Sequence, residues 1–133
     1  MAADQPAPVP SKDEAVRTLQ ELDAELRRLL GALSDEQLAA PGTVGGGAWS
    51  AQDLMSHLQS WEELALDTLN DWRNRTPPRI HDRFRSAGGI DAMNEELALA
   101  KRAASPGEAR RDAEQVHERL ITEISSLGRD EWE

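Results

Sequence analysis

Residues 50–72 read SAQDLMSHLQSWEELALDTLNDW and carry the clearest periodicity in the chain. Apolar and aromatic residues recur there every three or four positions, which is the spacing of one face of an α-helix. The members of that face are Leu54, His57, Leu58, Trp61, Leu64, Ala65, Leu69 and Trp72. Ser50 and Asp53 have the spacing of a capping box. We therefore predict a helix from about Ala51 to Asn74.

A second long helix is predicted before this stretch. Ser11 and Glu14 form a capping box, so the helix should run from about Lys12 to Leu33. Its apolar stripe consists of Val16, Leu19, Leu22, Leu26, Leu29, Leu30 and Leu33. Another capping box at residues 34–37 opens a short helical turn, which Pro41 and Gly42 end.

Two more helices are predicted after residue 89. Residues 90–104 form a thinly apolar helix with Met93, Leu97 and Ala100 facing inward. Ser105, Pro106 and Glu108 then give a strong helix start, with serine as the N-cap and proline in the first turn. The apolar face of this last helix comprises Ala109, Ala113, Val116, Leu120, Ile124 and Leu127.

The remaining segments lack any period. Residues 1–10 are rich in proline and are expected to be a flexible arm, and residues 45–47 are a glycine link. Residues 73–89 contain two adjacent prolines and five arginines, and we expect a long basic loop. With no convincing strand, residues 11–133 should form one all-α domain, an antiparallel helical bundle of the four-helix type.

Composition limits the function. The 133 residues include 15 Lys and Arg against 25 Asp and Glu, a net charge of −10, which argues against nucleic acid as a partner. The arginines of residues 73–89 could bind phosphate, but more often such residues neutralise acidic helix faces. Absence of cysteine excludes disulfides and thiolate metal sites. No apolar run is long enough to span a membrane and the start lacks signal-peptide features, so we expect a cytoplasmic protein.

Two histidines occupy the apolar sides of their predicted helices. His57 precedes Trp61 by one turn, and His117 lies beside the stripe of the last helix. Each could be a core histidine hydrogen-bonded to the backbone, or a metal ligand or general base in a pocket between facing helices. A catalytic zinc needs about three protein ligands. Glu62 or Glu63 could complete such a set, or could simply be a solvated partner of an arginine.

The tryptophans also have two interpretations. Trp49, Trp61 and Trp72 are expected to pack in the core and at helix ends, but a pocket walled by Trp61 could bind a flat apolar ligand.

A separate pattern is an internal echo. Residues 30–38, LGALSDEQL, are echoed by residues 124–132, ISSLGRDEW, and only the first copy is followed by a helix bearing histidine and tryptophan. Either this echo is a pseudo-repeat whose last element is missing, or it is a chance match, since a helix that ends in an acidic turn is common.

Several of these motifs resemble those of the DinB-like superfamily. They are residues 33–38, LSDEQL; residues 47–58, GAWSAQDLMSHL; and Trp61-Glu62-Glu63. Residues 93–96, MNEE, and 116–120, VHERL, are similar to the ClbS/DfsB branch of that superfamily. The resemblance covers about Glu14 to Trp132.

The resemblance implies a four-helix bundle with a pocket between its helices. Some members are metal-dependent thiol transferases or a mycothiol-dependent isomerase, in which a His-rich triad holds a divalent metal such as zinc or nickel. His57 matches one ligand of that triad. Members similar to ClbS instead hydrolyse a strained electrophilic ring. The positions that fall on the family motifs here are His57, Trp61, Asn94 and His117.

We therefore expect a small-molecule-binding hydrolase or resistance protein in which an imidazole activates water. The catalytic candidates are His57, His117 and Asn94, with His117 opposite His57. Trp61, Trp49 and Glu62 are the candidates for binding the substrate. Alternatives are a non-catalytic ligand-binding or dimerisation module, and a relative of the thiol transferases and the isomerase. Relatives continue into a final helix that is missing here, so a second copy is expected to close the bundle as a homodimer.

Overall fold

The computed structural model describes residues 9–44 and 47–132, apart from the side chains of His81 and Arg129. Within those residues the chain forms seven helices and no strand, which confirms the all-α helical bundle. The helices are α1 (Lys12–Gly31), α2 (Asp35–Ala39), α3 (Ala51–Arg73), α4 (Ile80–Ala87), α5 (Ile90–Lys101), α6 (Pro106–Ser125) and α7 (Arg129–Trp132). The predicted flexible arm, apart from Val9 and Pro10, and Gly45 and Gly46 of the predicted link lie outside the described residues.

Four helices start where serine caps were predicted. The side-chain oxygens of Ser11, Ser34, Ser50 and Ser105 each accept a hydrogen bond from the backbone N–H three residues later, at 3.0–3.2 Å. Ser34 and Ser50 have the complete box, because the Gln37 and Asp53 side chains also accept from the Ser34 and Ser50 N–H groups, at 2.9 and 3.0 Å. These bonds satisfy helix N–H groups that have no partner within the helix, so they set the first residue of α1, α2, α3 and α6.

The core lies where α6 packs against α3 and α1. Leu30 of α1, Leu38 of α2, Met55 of α3 and Ala109 of α6 are buried together there. The Arg110 guanidinium donates to the carbonyl oxygens of Leu30 and Leu33, both at 3.1 Å. Leu30 lies in the last turn of α1 and Leu33 lies two residues beyond its end, where carbonyls lack the N–H of a continuing helix. Arg110 thus fixes the end of α1 against α6.

The predicted inward faces were too wide in α1 and α3, and one position was misplaced in α5. In α3, Leu58 and Trp72 are 37% and 47% exposed. Leu22 and Leu29 of α1 were expected inside, but their exposed fractions are 65% and 53%. α1 is covered mainly by α6, and a single neighbour covers only part of a broad leucine stripe. In α5 the prediction for Ala100 was wrong, since Ala100 is exposed and Ala98 is buried.

The predicted basic loop contains a helix, α4. Its start is held by Arg79, whose Nη2 and Nε lie 2.9 and 3.1 Å from the two carboxylate oxygens of Asp71 at the end of α3. This hydrogen-bonded guanidinium lowers the pKa of Asp71. Gly88, with φ of 91°, adopts the left-handed conformation that ends α4. The helix therefore depends on a contact between segments rather than on a periodic pattern.

Several arginines of this region contact carboxylates of the same chain. Besides Arg79, Arg73 binds Glu123 at 2.8 Å and Arg85 binds Asp82 at 2.6 Å. These pairs favour the interpretation in which the arginines neutralise acidic helix faces. None of the described helices combines the length and the apolar character needed to cross a membrane.

Candidate functional site

α3 presents two separate clusters of polar and aromatic side chains. His57 and Glu62 are five positions apart, which places them about 140° apart around the helix axis. The His57 cluster consists of His57, Trp49, Trp61 and Asn94, and the His117 cluster of His117, Glu62, Asp23 and Arg27. The structure therefore does not bring His57 and His117 together.

In the His57 cluster, the imidazole lies between two indoles. Its ring centroid is 5.3 Å from that of Trp49, with the planes inclined at 58°, and 6.3 Å from that of Trp61 in an edge arrangement at 78°. Trp61 is one turn along α3, whereas Trp49 directly precedes the Ser50 cap. The N-terminal cap of α3 thus places the second indole against His57.

Both indoles are anchored to the start of α5. Trp61 Nε1 donates to Asn94 Oδ1 at 3.1 Å, and Trp49 Nε1 donates to Glu95 Oε1 at 2.9 Å. These bonds leave the indoles with apolar faces to offer a ligand and no free donor. Asn94 is used only through its oxygen in the described part of the chain, so its amide N–H groups are available to donate to a ligand.

Burial lowers the pKa of His57 below its ordinary value of 6.5. The imidazole is therefore neutral at pH 7, and one ring nitrogen carries a lone pair that can accept a proton. None of residues 9–44 and 47–132 forms a hydrogen bond with the His57 ring. The ring is only half-buried, so solvent reaches it. These are the properties of an accessible general base.

The His117 cluster has a different character. His117 is 6% exposed, and its Nδ1 lies 3.1 Å from Glu62 Oε1 while its Nε2 lies 3.5 Å from Asp23 Oδ2. Arg27 Nε binds the same Asp23 oxygen at 2.6 Å. The cluster ties α1, α3 and α6 together. Because both ring nitrogens of His117 face carboxylates of the chain, the ring is held in place rather than free to react.

Sequence reasoning missed four contributors to these clusters. Asp23 and Arg27 of α1 complete the contacts around His117, Glu95 anchors Trp49, and Phe84 of α4 packs on Trp61 with ring centroids 5.9 Å apart. Asp23 carried a usable signal, since it lies between Leu19 and Leu26 within the apolar stripe of α1. No comparable signal pointed to Phe84, because residues 73–89 were predicted to be a loop without a helical period.

The described residues do not fit the divalent metal that the family resemblance implies. No group of three or more His, Cys, Asp or Glu side chains in that part of the chain is arranged to hold an ion. The ring neighbours of His57 are indoles, which are not ligands. Glu62 and Asp23 approach opposite nitrogens of His117, so they cannot share one ion with that ring.

Comparison with known proteins places the chain in a family. The family model described as "Mycothiol maleylpyruvate isomerase N-terminal domain" matches residues 19–133. A search of the curated proteins found no match, and a search of the solved structures found none. The matched region includes every member of both clusters and all helices from the middle of α1 onward. The chain therefore belongs to the mycothiol maleylpyruvate isomerase N-terminal domain family, a member of the DinB-like superfamily.

Proposed function

We propose that the protein binds a small electrophilic molecule at the His57 cluster and hydrolyses it, as a member similar to the ClbS/DfsB branch. One observation carries this proposal: a neutral imidazole that solvent reaches, with no hydrogen-bond partner in the described part of the chain, lies between two anchored indoles. The motifs at residues 93–96 and 116–120 support the same branch. The net charge of −10 favours a small-molecule partner over nucleic acid.

The geometry defines a role for each member of the cluster. Trp49 and Trp61, which are both partly exposed, pack against the flat apolar part of the substrate beside the His57 ring. His57 accepts a proton from water as the water oxygen attacks a carbon of a strained ring, and the ring carbon–oxygen bond breaks. The Asn94 amide donates a hydrogen bond to the oxygen that leaves. The His57 imidazolium then returns its proton to that oxygen, so the net reaction is addition of water.

A pH profile of turnover tests this assignment. We expect the protein to convert styrene oxide, an aryl-substituted epoxide, to its diol with a rate that is constant around pH 7. The rate should fall only as the pH drops through a value below 6.5, because the base must be neutral and burial lowers the pKa of His57. Initial rates of diol formation give the profile. No turnover above the buffer rate, or an acid limb above pH 6.5, would contradict the proposal.

A second candidate is a thiol-dependent isomerase or transferase, which the family match supports. In that case His57 takes the proton of a thiol cosubstrate instead of water, and the thiolate attacks the electrophile. Adding a low-molecular-mass thiol to the same assay separates the two reactions. Turnover that requires the thiol favours the transferase, and turnover in its absence favours the hydrolase. Saturable binding of the epoxide without product would favour a non-catalytic ligand-binding module.

We also propose that residues 11–133 form a single cytoplasmic domain that assembles as a homodimer. Leu22 and Leu29 are two turns apart on α1 and both are more than half exposed, which gives a self-complementary apolar surface. Light scattering should give twice the chain mass of 14.7 kDa. Replacing both leucines with glutamate should give the monomer mass, whereas Gln20→Glu, an exposed position on α1, should not. A wild-type monomer at all concentrations would overturn the proposal.

A further inference from the structure

A cavity of about 210 Å³ lies between α1, α3 and α6. Its apolar lining comes from Leu26 and Leu30 of α1, Met55 and Leu58 of α3, and Ala113 of α6. No member of the His57 cluster lines it. An apolar cavity of roughly 150 Å³ is enough to hold benzene, so this one has room for a monocyclic molecule with a short substituent.

The charged side chains that line the cavity differ in whether their charge is balanced by a partner. Arg27 contacts both Asp23, at 2.6 Å, and Glu114, at 3.2 Å. Arg110 is engaged with the carbonyl oxygens at the end of α1. The remaining carboxylate is that of Glu62. Its only partner among the described residues is His117, which contacts Oε1.

The second oxygen of Glu62 is the unusual atom of this wall. Glu62 Oε2 is buried and has no hydrogen-bond partner in the described part of the chain. A buried acceptor without a partner destabilises the folded state, and a carboxylate oxygen does so most. The Glu62 side chain is 23% exposed and lines the cavity. Because Glu62 lines the cavity, a ligand that reaches this oxygen would supply the donor that it lacks.

We propose that this cavity binds a small primary amine with a monocyclic apolar body. The ring occupies the space between the leucines and Met55, and the ammonium donates to Glu62 Oε2 and balances its charge. The site is distinct from the His57 cluster and does not depend on the function proposed for it.

Benzylamine and benzyl alcohol provide a matched pair of probes, because they differ mainly in the charged donor. Titration calorimetry on the full chain should show benzylamine binding at least about tenfold more tightly, which is the ratio a charge-assisted hydrogen bond supplies. Glu62→Gln should remove that preference and leave the alcohol bound. Glu63→Gln, the adjacent position whose carboxylate pairs with Lys101, should retain it.

A second variant, which fills the cavity, tests the proposal even if Glu62→Gln does not fold. Ala113→Leu adds volume inside the cavity without changing any charge, and it should abolish binding of both probes while the helical circular dichroism is kept. Equal affinity of the two probes for the wild-type chain would overturn the proposal. So would absence of saturable benzylamine binding, or an equal loss of preference in Glu63→Gln.

Discussion

We expect His57→Gln to lower kcat for styrene oxide hydrolysis by about 10²–10⁴-fold, the usual contribution of a general base. Glutamine is similar in size to histidine and uncharged, so it preserves packing between Trp49 and Trp61 but cannot accept a proton. Because the His57 ring makes no hydrogen bond to the described residues, its loss should leave the midpoint of thermal unfolding nearly unchanged. Initial rates and thermal unfolding monitored by circular dichroism measure the two effects.

The matched control is Asn70→Ala, at an exposed position on the same helix. It should change neither the rate nor the unfolding midpoint. Free imidazole added to His57→Ala should restore part of the activity, since it can enter the space between the indoles and accept the proton. A His57→Gln variant with wild-type turnover would show that the reaction occurs elsewhere. A variant that unfolds would show that the histidine is a structural residue.

His117→Ala should have its largest effect on stability. The substitution leaves the Glu62 and Asp23 carboxylates facing each other without the imidazole between them. Leaving a buried hydrogen-bonding group without its partner costs about 1–3 kcal/mol, and more when that group is charged. The two carboxylates are 23% and 20% exposed, and solvent screens part of that cost. We therefore expect the free energy of unfolding to fall by about 2–3 kcal/mol.

Urea unfolding of the purified variants measures this loss. Glu118→Ala, at the adjacent exposed position of α6, should change the free energy of unfolding by less than about 0.5 kcal/mol. His117→Gln keeps one donor for Glu62, so its free energy of unfolding should lie between those of His117→Ala and Glu118→Ala. If His117→Ala is as stable as the wild type but loses turnover, the histidine is catalytic rather than structural, and the roles given to the two clusters are wrong.

Local signals predicted most of the fold. The serine caps and the three-to-four-residue spacing gave α1, α2, α3 and α6 to within about two residues, because both signals act within one helix turn. α4 could not be predicted in this way. Its eight residues lack a period, and its placement depends on Asp71 meeting Arg79 and on Phe84 meeting Trp61. The exposure of Leu22 and Leu29 likewise depends on how many helices cover α1.

The site was less predictable than the fold. Helical spacing relates His57 to Trp61, but Trp49 and Asn94 come from other segments, and only the family motifs pointed to them. His117 is buried, as its position beside the apolar stripe predicted, whereas His57 is only half-buried. Whether they face each other is set by the rotation of α6 against α3, which no single-helix pattern records. His117 therefore meets Glu62 and Asp23, and the expected opposition to His57 does not occur.

The separation of the two clusters around α3 has a thermodynamic consequence. Groups that share no contacts contribute additively to the free energy, whereas groups in one network are coupled. No contact in the described residues joins the His57 ring to His117, Glu62 or Asp23. Substitutions at Trp49, Trp61 and Asn94 can therefore alter the His57 cluster while the contacts that hold α1, α3 and α6 together stay intact. The arrangement allows the chemistry of one side of a helix to evolve at little cost to the stability supplied by the other.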